Sequence, residues 1–515
     1  MKLNYRRVFL VGLAFFLITM FWESYDAIVP KILTDKFGMS QTLSGIIMAL
    51  DNVFALFLLP LFGSISDRCR SKRGKRTPFV LIGTVVACVL FVSLSFADNW
   101  QLTKIDGVAS DDQKAVLSEL YNSDLGEISG KIHKNFTTEE EFLAIDIDAV
   151  CKDSLGNDST YYAEYITPAR QAYAWQMTVQ NPAPLILFIV ILLGLLVSMS
   201  VFRSPAVALM PDVTPKPLRS KANAIINLMG TAAGAIVLAL GIVFGTGKAT
   251  NALMSYTVFF SVIAGLMMIA LTVFMFTVKE NAWAAEATQA MKAAGLEDEE
   301  TEKLAAEHKR HLSKPEMRSL ILLLASVAFW FIGFNAVKTK YTVYAGQVLG
   351  LDYNEALLMT VIIATAAFIP IGIISSKVGR KKVIMGGVAI LSVSFFVATF
   401  LTSGSSSWLM NILFALAGLG WAAINVNSFP MVVELATGSD VGKYTGLYYA
   451  ASMSAQIIAP VLSGLFLDHI SMRALFPFGA AFVALSFVTM FFVKHGDVKP
   501  QQKKSLLENL DAGDD

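Results

Sequence analysis

The sequence predicts an all-α integral membrane protein in which twelve transmembrane helices form two pseudo-symmetric six-helix halves. Hydrophobic residues make up 55% of the 515 residues, and mean hydropathy is +0.58. Charged residues make up 16%, whereas soluble domains contain about 25%. The apolar residues fall into blocks of about 20 residues, the length that crosses a bilayer as a helix. An internal repeat then divides these blocks into two halves.

Each apolar block is interpreted as one membrane-spanning helix. The blocks cover approximately residues 8–29, 43–63, 78–97, 183–210, 222–246, 255–278, 319–345, 356–375, 383–402, 407–430, 445–467 and 474–494. The first block is too long for a cleaved signal peptide. The predicted domains are a first half over 1–278 with an insertion at 98–182, a linker over 279–318, a second half over 319–494 and a tail over 495–515.

Basic residues mark one face of the membrane. The loop at 64–77 carries six Lys and Arg residues, whereas the 98–182 segment carries 15 acidic residues against 6 basic ones. Lys and Arg concentrate in loops that stay in the cytoplasm. We therefore expect a multi-pass protein of the cell membrane, with both termini and the linker in the cytoplasm and the insertion outside. The net charge of +1 gives no indication of a nucleic-acid partner.

Two polar segments also have helical patterns. The stretch at 285–310 is predicted to form an amphipathic helix along the cytoplasmic face. Within the insertion, the sequence TEEEF after Thr137 has the pattern of a capping box and predicts the start of a helix.

The two halves repeat short motifs at corresponding positions. "FWESYDA" at 21–27 is echoed by "FWFIGFNA" at 329–336, and "LFGSISDR" at 61–68 by "PIGIISSK" at 370–377. At the offset of 309, Asp26 pairs with Asn335, Gly63 with Gly372 and Arg68 with Lys377; at the offset of 222, Asp212 pairs with Glu434 and Lys221 with Lys443. Parallel repeats of this kind occur in transporters, whose substrate sites lie between the repeats near the bilayer midplane.

The loop after the second block resembles the signature loop of the major facilitator superfamily. It has the pattern G-x-x-x-D-R from Gly63 to Arg68, followed by a basic run with a glycine. The longer form "SDRCRSKRGKRTPF", together with "RSPAVALMPD" before "KANAI", is similar to the sucrose-transporter and glycoside–pentoside–hexuronide branch. The resemblance implies the major facilitator fold and secondary transport by alternating access.

The same resemblance implies that charged residues on the cytoplasmic side tie the two halves together in one access state. Gly63 and Gly74 permit close helix approach and a tight turn. The predicted gating residues are Gly63, Asp67, Arg68, Gly74, Arg76, Asp212, Lys221, Gly372, Lys377, Glu434 and Lys443. The alternative is that the loop is only a topology signal and that the pairs are solvated charges, each contributing about 0–1 kcal/mol.

Acidic residues within the apolar blocks are candidates for coupling transport to protons. A carboxylate in the bilayer core is costly unless it faces a cavity or carries a proton. Glu23 and Asp26 are three residues apart, so they lie on one helical face. Asp51 lies roughly 12 Å inside the outer end of the second helix. Snorkelling at the interface is the alternative for Asp26, Lys338 and Lys340.

The resemblance also bears on the coupling ion. Sodium-coupled melibiose-type carriers place two aspartates before the Pro-x-x-Gly of the second helix, and those positions are Ala55 and Leu59 here. Asp51 lies one turn further out, on the same face. The fourth helix has no acidic residue over 197–200, where plant-type sucrose carriers have one. We therefore expect protons rather than sodium as the coupling ion and no other cofactor, with uniport as an alternative.

A sugar site needs aromatic faces for C–H surfaces and amides or acids for hydroxyl groups. The candidate substrate-binding residues are Trp22, Tyr25, Asn52, Asn223, Asn227, Asn335, Trp421, Asn425, Asn427, Tyr448 and Gln456. Interfacial anchoring is the alternative for tryptophans, and interhelical hydrogen bonding for amides. Asn425 and Asn427 do not share one helical face, so only one is expected to point inward.

The function expected from the sequence is proton-coupled symport of a sugar or glycoside by a monomer in the lipid bilayer. An efflux carrier for a drug or metabolite is the main alternative, although its site would be more apolar. A membrane-embedded enzyme or sensor is a more distant one, since the blocks contain no catalytic His, no paired Cys and no metal-binding spacing.

Overall fold

The computed structural model describes residues 3–147, 161–215, 218–293, 313–402, 405–435 and 441–496. Within these ranges, twelve helices are long and apolar enough to cross a membrane, which confirms the predicted number. The spans begin and end within several residues of most predicted blocks, but the first and seventh are longer, at Tyr5–Lys36 and Lys314–Leu349. The tail beyond residue 496 and linker residues 294–312 lie outside the described residues.

The α-helices of the described residues are named in chain order. They are α1 (Tyr5–Lys31), α2 (Gln41–Asp67), α3 (Thr77–Leu102), α4 (Asp106–Ala109), α5 (Gln113–Asn122), α6 (Glu127–Asn135), α7 (Glu139–Leu143), α8 (Thr167–Gln180), α9 (Ala183–Val213), α10 (Arg219–Phe244), α11 (Thr257–Thr277), α12 (Glu280–Ala293), α13 (Lys314–Tyr344), α14 (Tyr353–Val378), α15 (Arg380–Ala398), α16 (Ser407–Val433), α17 (Val441–His469) and α18 (Leu475–Phe491). Single π-helical turns extend α1 over Ile32–Lys36 and α13 over Ala345–Leu349.

Local sequence signals explain several helix ends. Ser40 accepts a hydrogen bond from the Leu43 N–H and caps α2, while Ser313 and Glu316 form a capping box at the start of α13. Thr138 and Glu141 form the capping box that the insertion sequence predicts, so that prediction is confirmed. The helix expected at 285–310 is described only as α12, Glu280–Ala293.

The spanning helices form two six-helix halves of matching internal packing. In the first half α1 packs against α10 and α3 against α9, and in the second half α13 packs against α17 and α15 against α16. The halves meet along α2 with α17 and along α10 with α14. We call the membrane face at the start of α1 and the end of α18 the terminal face, and the opposite one the insertion face.

The insertion folds into a small helical unit with its own hydrophobic core. Its core residues include Val116, Leu120, Ile132, Phe142 and Ile166, all buried. Between α3 and α8, Gln101 donates a hydrogen bond to Thr178 and another to the Lys36 carbonyl. The insertion is therefore attached to the first half.

A buried ion pair fixes the end of α1 to α3 beneath this unit. Lys36 Nζ lies 2.6 Å from Asp98 Oδ2, and neither side chain has exposed surface. The ammonium also donates to the Met254 carbonyl at 2.7 Å and lies 4.4 Å from the centre of the Tyr256 ring. Because burial costs each charge its hydration, each partner depends on the other.

We expect Lys36→Met to lower the free energy of unfolding by about 3–5 kcal/mol, because it leaves Asp98 charged, buried and unpaired. The double variant Lys36→Met/Asp98→Leu should recover most of this loss. Thermal unfolding in detergent measures the effect. The control is Arg7→Met at the exposed Arg7–Glu286 pair, where we expect a change within about 1 kcal/mol. An unchanged melting temperature for Lys36→Met would contradict the assignment.

Candidate functional site

The insertion face is closed by contacts between α2 and α17. The Asp468 carboxylate of α17 accepts hydrogen bonds from the backbone N–H groups of Gln41 (2.8 Å) and Thr42 (2.7 Å) at the start of α2. A carboxylate at a helix N-terminus pairs with unsatisfied N–H groups and with the helix dipole. Lys340 of α13 donates to the Gln41 carbonyl at 2.6 Å. Gly45 and Gly464 let the two backbones approach closely.

A second set of contacts closes the same face between the first half and α14. Thr246 lies 3.0 Å from the Tyr353 hydroxyl and accepts a hydrogen bond from Asn354 at 3.1 Å. Asp352 accepts hydrogen bonds from Asn354, and burial raises the pKa of the Asp352 carboxyl. Gln347 donates to Asp35 at 2.8 Å, again across the two halves.

The bundle is open at the terminal face. An opening of about 510 Å³ lies between the end of α2 and Met453 of α17. Gly63, Ser64 and Asp67 line it, together with Ser204 of α9. The structure therefore has one closed and one open face.

A polar cavity of about 190 Å³ lies between the two halves, near the middle of the spans. Its lining consists of Asp26, Met48, Asp51, Asn52, Phe331, Phe334, Asn335, Lys338, Thr339, Trp421, Gln456 and Pro460. Six of these residues are sequence-predicted site residues: Asp26, Asp51, Asn52, Asn335, Trp421 and Gln456. The fold thus brings acids, amides and an aromatic ring from both halves to one place.

Charged residues form one wall of this cavity. Lys338 Nζ of α13 lies 3.5 Å from Asp26 Oδ2 and 3.7 Å from Glu23 Oε2, so it links the second half to α1. On α2, Asp51 Oδ1 accepts hydrogen bonds from the Asn52 backbone N–H and from its side-chain amide, at 2.5 and 2.7 Å. From the sequence, a functional role and interfacial anchoring were equally supported for Lys338.

Aromatic residues form another part of the lining. The Trp421 ring stacks on Phe334, with ring centres 3.9 Å apart and planes inclined by 6°. The Trp421 indole is thus held in a fixed plane at the edge of the cavity. Asn335 donates to the Phe331 carbonyl at 2.9 Å, so its amide oxygen stays available as an acceptor.

The remaining predicted substrate residues lie outside the cavity lining. Trp22 and Tyr25 pack against each other on α1 with ring centres 5.5 Å apart, and the Arg203 guanidinium lies 5.5 Å from the Trp22 ring centre. Among the described residues, the Trp22 Nε1, the Tyr25 hydroxyl and the Asn227 Nδ2 are buried without a hydrogen-bond partner. Such groups call for a ligand or water.

Asn427 and Tyr448 make hydrogen bonds within the second half, although the Asn427 Oδ1 is buried without a partner. Asn427 is buried and donates to the Ala423 carbonyl of its own helix, and Tyr448 lies 3.0 Å from the Ser428 hydroxyl. Asn425 and Asn223 are half-buried.

Arg76 organises the predicted gating residues of the first half. Its guanidinium contacts Asp67 at 2.5 Å, Asp212 at 2.8 Å and the Ser66 hydroxyl, while only 6% of the side chain is exposed. These partners belong to α2 and α9, so the cluster joins elements of one half in this conformation. Arg68 is exposed.

Glu280 is a residue that the sequence reasoning missed. Its carboxylate accepts hydrogen bonds from the backbone N–H groups of Arg76 and Thr77 at the start of α3, and from the Thr77 hydroxyl at 2.7 Å. The carboxylate packs against Gly74, whose φ of 122° favours glycine. In the sequence, the signal that could have identified Glu280 is an acidic residue directly after a membrane span.

In the second half, Glu434 corresponds to Asp212 and has different partners. Glu434 pairs with Arg380 at the start of α15. Ser375 donates to the Gly372 carbonyl, as Ser66 donates to the Gly63 carbonyl. Lys377 is exposed, and the side chains of Lys221 and Lys443 lie outside the described residues.

Two six-helix halves around a central polar cavity are the architecture of membrane transporters whose substrate site lies between two repeats. Residues 171–369 and 356–510 match the family described as Major Facilitator Superfamily, and residues 10–108 match that described as MFS/sugar transport protein. The chain belongs to the Major Facilitator Superfamily, which confirms the resemblance.

The curated relatives match only parts of the chain. The MFS-type efflux transporter pyiT of Pyricularia grisea is 29% identical over 147 residues, 28% of this chain and 23% of the relative. The sucrose transport protein SUT1 of Oryza sativa subsp. japonica is 33% identical over 60 residues, 12% of this chain and 11% of the relative. The chain spans less than half of the length of each curated relative it matches.

A solved structure shares the fold along nearly the whole chain. The inward-open conformation of the xylose transporter XylE from E. coli superposes with a TM-score of 0.57 at 12% identity, covering 98% of this chain and 99% of that one.

We expect Arg76→Gln to destabilise the protein by about 2 kcal/mol, because it removes the buried guanidinium that joins α2 to α9 and leaves Asp212 only the partly exposed Lys75, at 3.2 Å. Asp67→Asn should cost no more than about 1 kcal/mol, since the Asp67 side chain is 58% exposed. Thermal unfolding of both variants in detergent measures the difference. Equal effects of the two substitutions would show that Arg76 is not the centre of the cluster.

Proposed function

We propose that the protein is a proton-coupled symporter of a sugar or glycoside that works by alternating access. The observation that carries this proposal is the central cavity, which combines Asp26 and Asp51 with three amides and the stacked Trp421. Carboxyl groups and amides bind sugar hydroxyls, and a flat indole face packs against sugar C–H groups. The match to the sugar-transport family and the short similarity to a sucrose transport protein support the same substrate class.

Coupling follows from the position of the carboxyl groups. Asp51 and Asp26 line a cavity enclosed by spanning helices, and Glu23 lies three residues before Asp26 on α1. A carboxyl group held away from bulk water can carry a proton near neutral pH. Proton binding to these carboxyl groups reduces the charge of the site before it is exposed to the other side of the membrane. Asp51, Glu23 and Asp26 are therefore the proposed coupling residues. Sodium remains the less favoured ion.

The terminal face is the proposed cytoplasmic face. It carries the six basic residues of the 64–77 loop, and basic loops stay in the cytoplasm. The described conformation is then open to the cytoplasm and closed by the Asp468 and Tyr353 contacts outside. Asp67 and Arg76, with Asp212 and Glu434, are the proposed residues that steady this face during the cycle. We propose a monomer in the cell membrane.

Efflux of a drug or metabolite is the second candidate, because one relative is named an efflux transporter. The lining of the central cavity argues against an amphiphilic substrate. Seven of its residues are charged or polar, from Asp26 to Gln456 along the chain. Uptake into proteoliposomes of a sugar panel and of lipophilic dyes, with and without a pH gradient, distinguishes the two candidates.

We expect Asp51→Asn to reduce proton-driven accumulation at least about tenfold, to equal concentrations inside and outside, because the amide keeps the shape but carries no exchangeable proton. Sugar exchange without net flux should persist in part. The control is Asp111→Asn on the exposed insertion. Wild-type accumulation in Asp51→Asn would exclude this residue from coupling. Accumulation driven by sodium without a pH gradient would exclude protons as the coupling ion.

We expect Trp421→Ala to lower sugar affinity about tenfold, which equals about 1.4 kcal/mol, by removing the flat face. Trp421→Phe should retain most of the affinity. The matched control is Trp408→Ala at the start of the same helix, where 70% of the side chain is exposed. Binding titrations by intrinsic fluorescence or calorimetry measure both. Equal losses at Trp408 and Trp421 would show that the effect is not specific to the cavity.

A further inference from the structure

Lys338 is the cation in the cavity lining that reaches from one half to carboxyl groups of the other. It lies on α13 in the second half, whereas Glu23 and Asp26 lie on α1 in the first half, at 3.7 and 3.5 Å from its Nζ. Glu23 is the deeper acid: its side chain is 10% exposed, and it packs near Gly234 of α10. Asp26 and Lys338 are each about one-third exposed, toward the cavity.

Further charged and titratable groups face this contact. Facing the cluster are Asp51 from α2 and Arg203 from α9, which both interact electrostatically with Asp26. Tyr25 lies on α1, and Tyr353 of α14 interacts with Glu23. The three carboxyl groups therefore share two cations. When every carboxyl group is ionised, one negative charge is uncompensated, and one bound proton brings the cluster to neutrality.

We propose that Lys338 is the positioning residue through which the proton occupancy of Asp26 controls the separation of the two halves. This inference rests on the proposed proton coupling. While Asp26 is ionised, the ammonium is held between Asp26 and Glu23 and ties α13 to α1. A proton that passes from the cavity to an Asp26 carboxylate oxygen removes one of the two attractions. Lys338 itself keeps all its protons throughout.

The consequence for the cycle concerns the empty carrier. After the proton leaves through the terminal face, Lys338 balances one charge of the ionised pair, so the site crosses the closed intermediate with less uncompensated charge. Charge in a low-dielectric layer would otherwise impede that step. The contact also belongs to the conformation with an open terminal face, which it stabilises relative to the other conformations.

The test measures this conformation directly and requires no transported substrate. In a background of Cys69→Ser, Cys88→Ala and Cys151→Ser, a single cysteine replaces Ser64, which lines the terminal-face opening. Labelling by a membrane-impermeant maleimide is measured in nanodiscs at pH 8.5 and pH 5.5. Each rate is divided by the rate of the same protein unfolded in detergent, which removes the effect of pH on the thiol itself.

We expect the wild-type background to label about fivefold more slowly at the lower pH, as Asp26 takes up a proton and the tie weakens. Lys338→Met should label slowly at both pH values, because methionine has no ammonium group for the carboxylates to hold. Lys338→Arg should behave as the wild type, since it restores the charge. Asp26→Asn keeps the contact between Lys338 and Glu23, so its labelling rate should lie between the rates of the wild type and of Lys338→Met. The matched control is Lys314→Met, exposed at the start of the same helix and expected to match the wild type.

Three results overturn the inference. They are wild-type labelling that does not change with pH, Lys338→Met labelling with the wild-type pH dependence, and Lys338→Arg labelling like Lys338→Met. The proposed function fails by a different result, namely sugar uptake that is indifferent to a pH gradient. If uptake is indifferent but labelling behaves as expected, proton-coupled transport is refuted while the tie between Lys338 and the carboxyl groups stands.

Discussion

A charge inside the apolar layer of a membrane must be paired, hydrogen-bonded or in contact with water, and this constraint governs the structure. Lys36 and Asp98 satisfy it by pairing where water is absent, which fixes α1 to α3. Lys340 satisfies it with a backbone carbonyl, and so helps to close one face. Lys338 satisfies it beside the cavity, close to the carboxylates of Asp26 and Glu23. The same requirement thus produces a buried anchor, a closing contact and a contact between the two halves.

The closed face depends on backbone groups more than on ion pairs. Asp468 binds N–H groups at the start of α2, and Lys340 binds a carbonyl of the same turn. Such contacts need only a helix end and one charge, so they form and separate as a helix moves without rearranging side chains within either half. The Arg76 cluster at the other face differs, because the contacts of its guanidinium remain within the first half and hold that half together.

Hydrophobic block length was enough to predict the twelve spans, because a bilayer sets that length for any sequence. Acids, amides and one tryptophan in those blocks predicted half of the cavity lining, since polar residues there are costly unless they face a cavity. The partners were harder to predict. Glu280 meets Arg76 from 204 positions away, and periodicity cannot show which helix end lies beside which loop. Asn335 and Asn427 both donate to a carbonyl of their own helix, but only Asn335 lines the cavity, and tertiary packing decides which of the two does so.

The insertion has a consequence for imaging this molecule. Detergent or lipid would surround most of a 56.0 kDa chain and leave few features for aligning particle images. Here a compact helical unit stands outside that layer and is joined to the first half through Gln101, Thr178 and the buried Lys36 pair. Alignment would follow this unit, so the first half would serve as the fixed frame. Motion between the conformations would then be recorded as displacement of the second half alone.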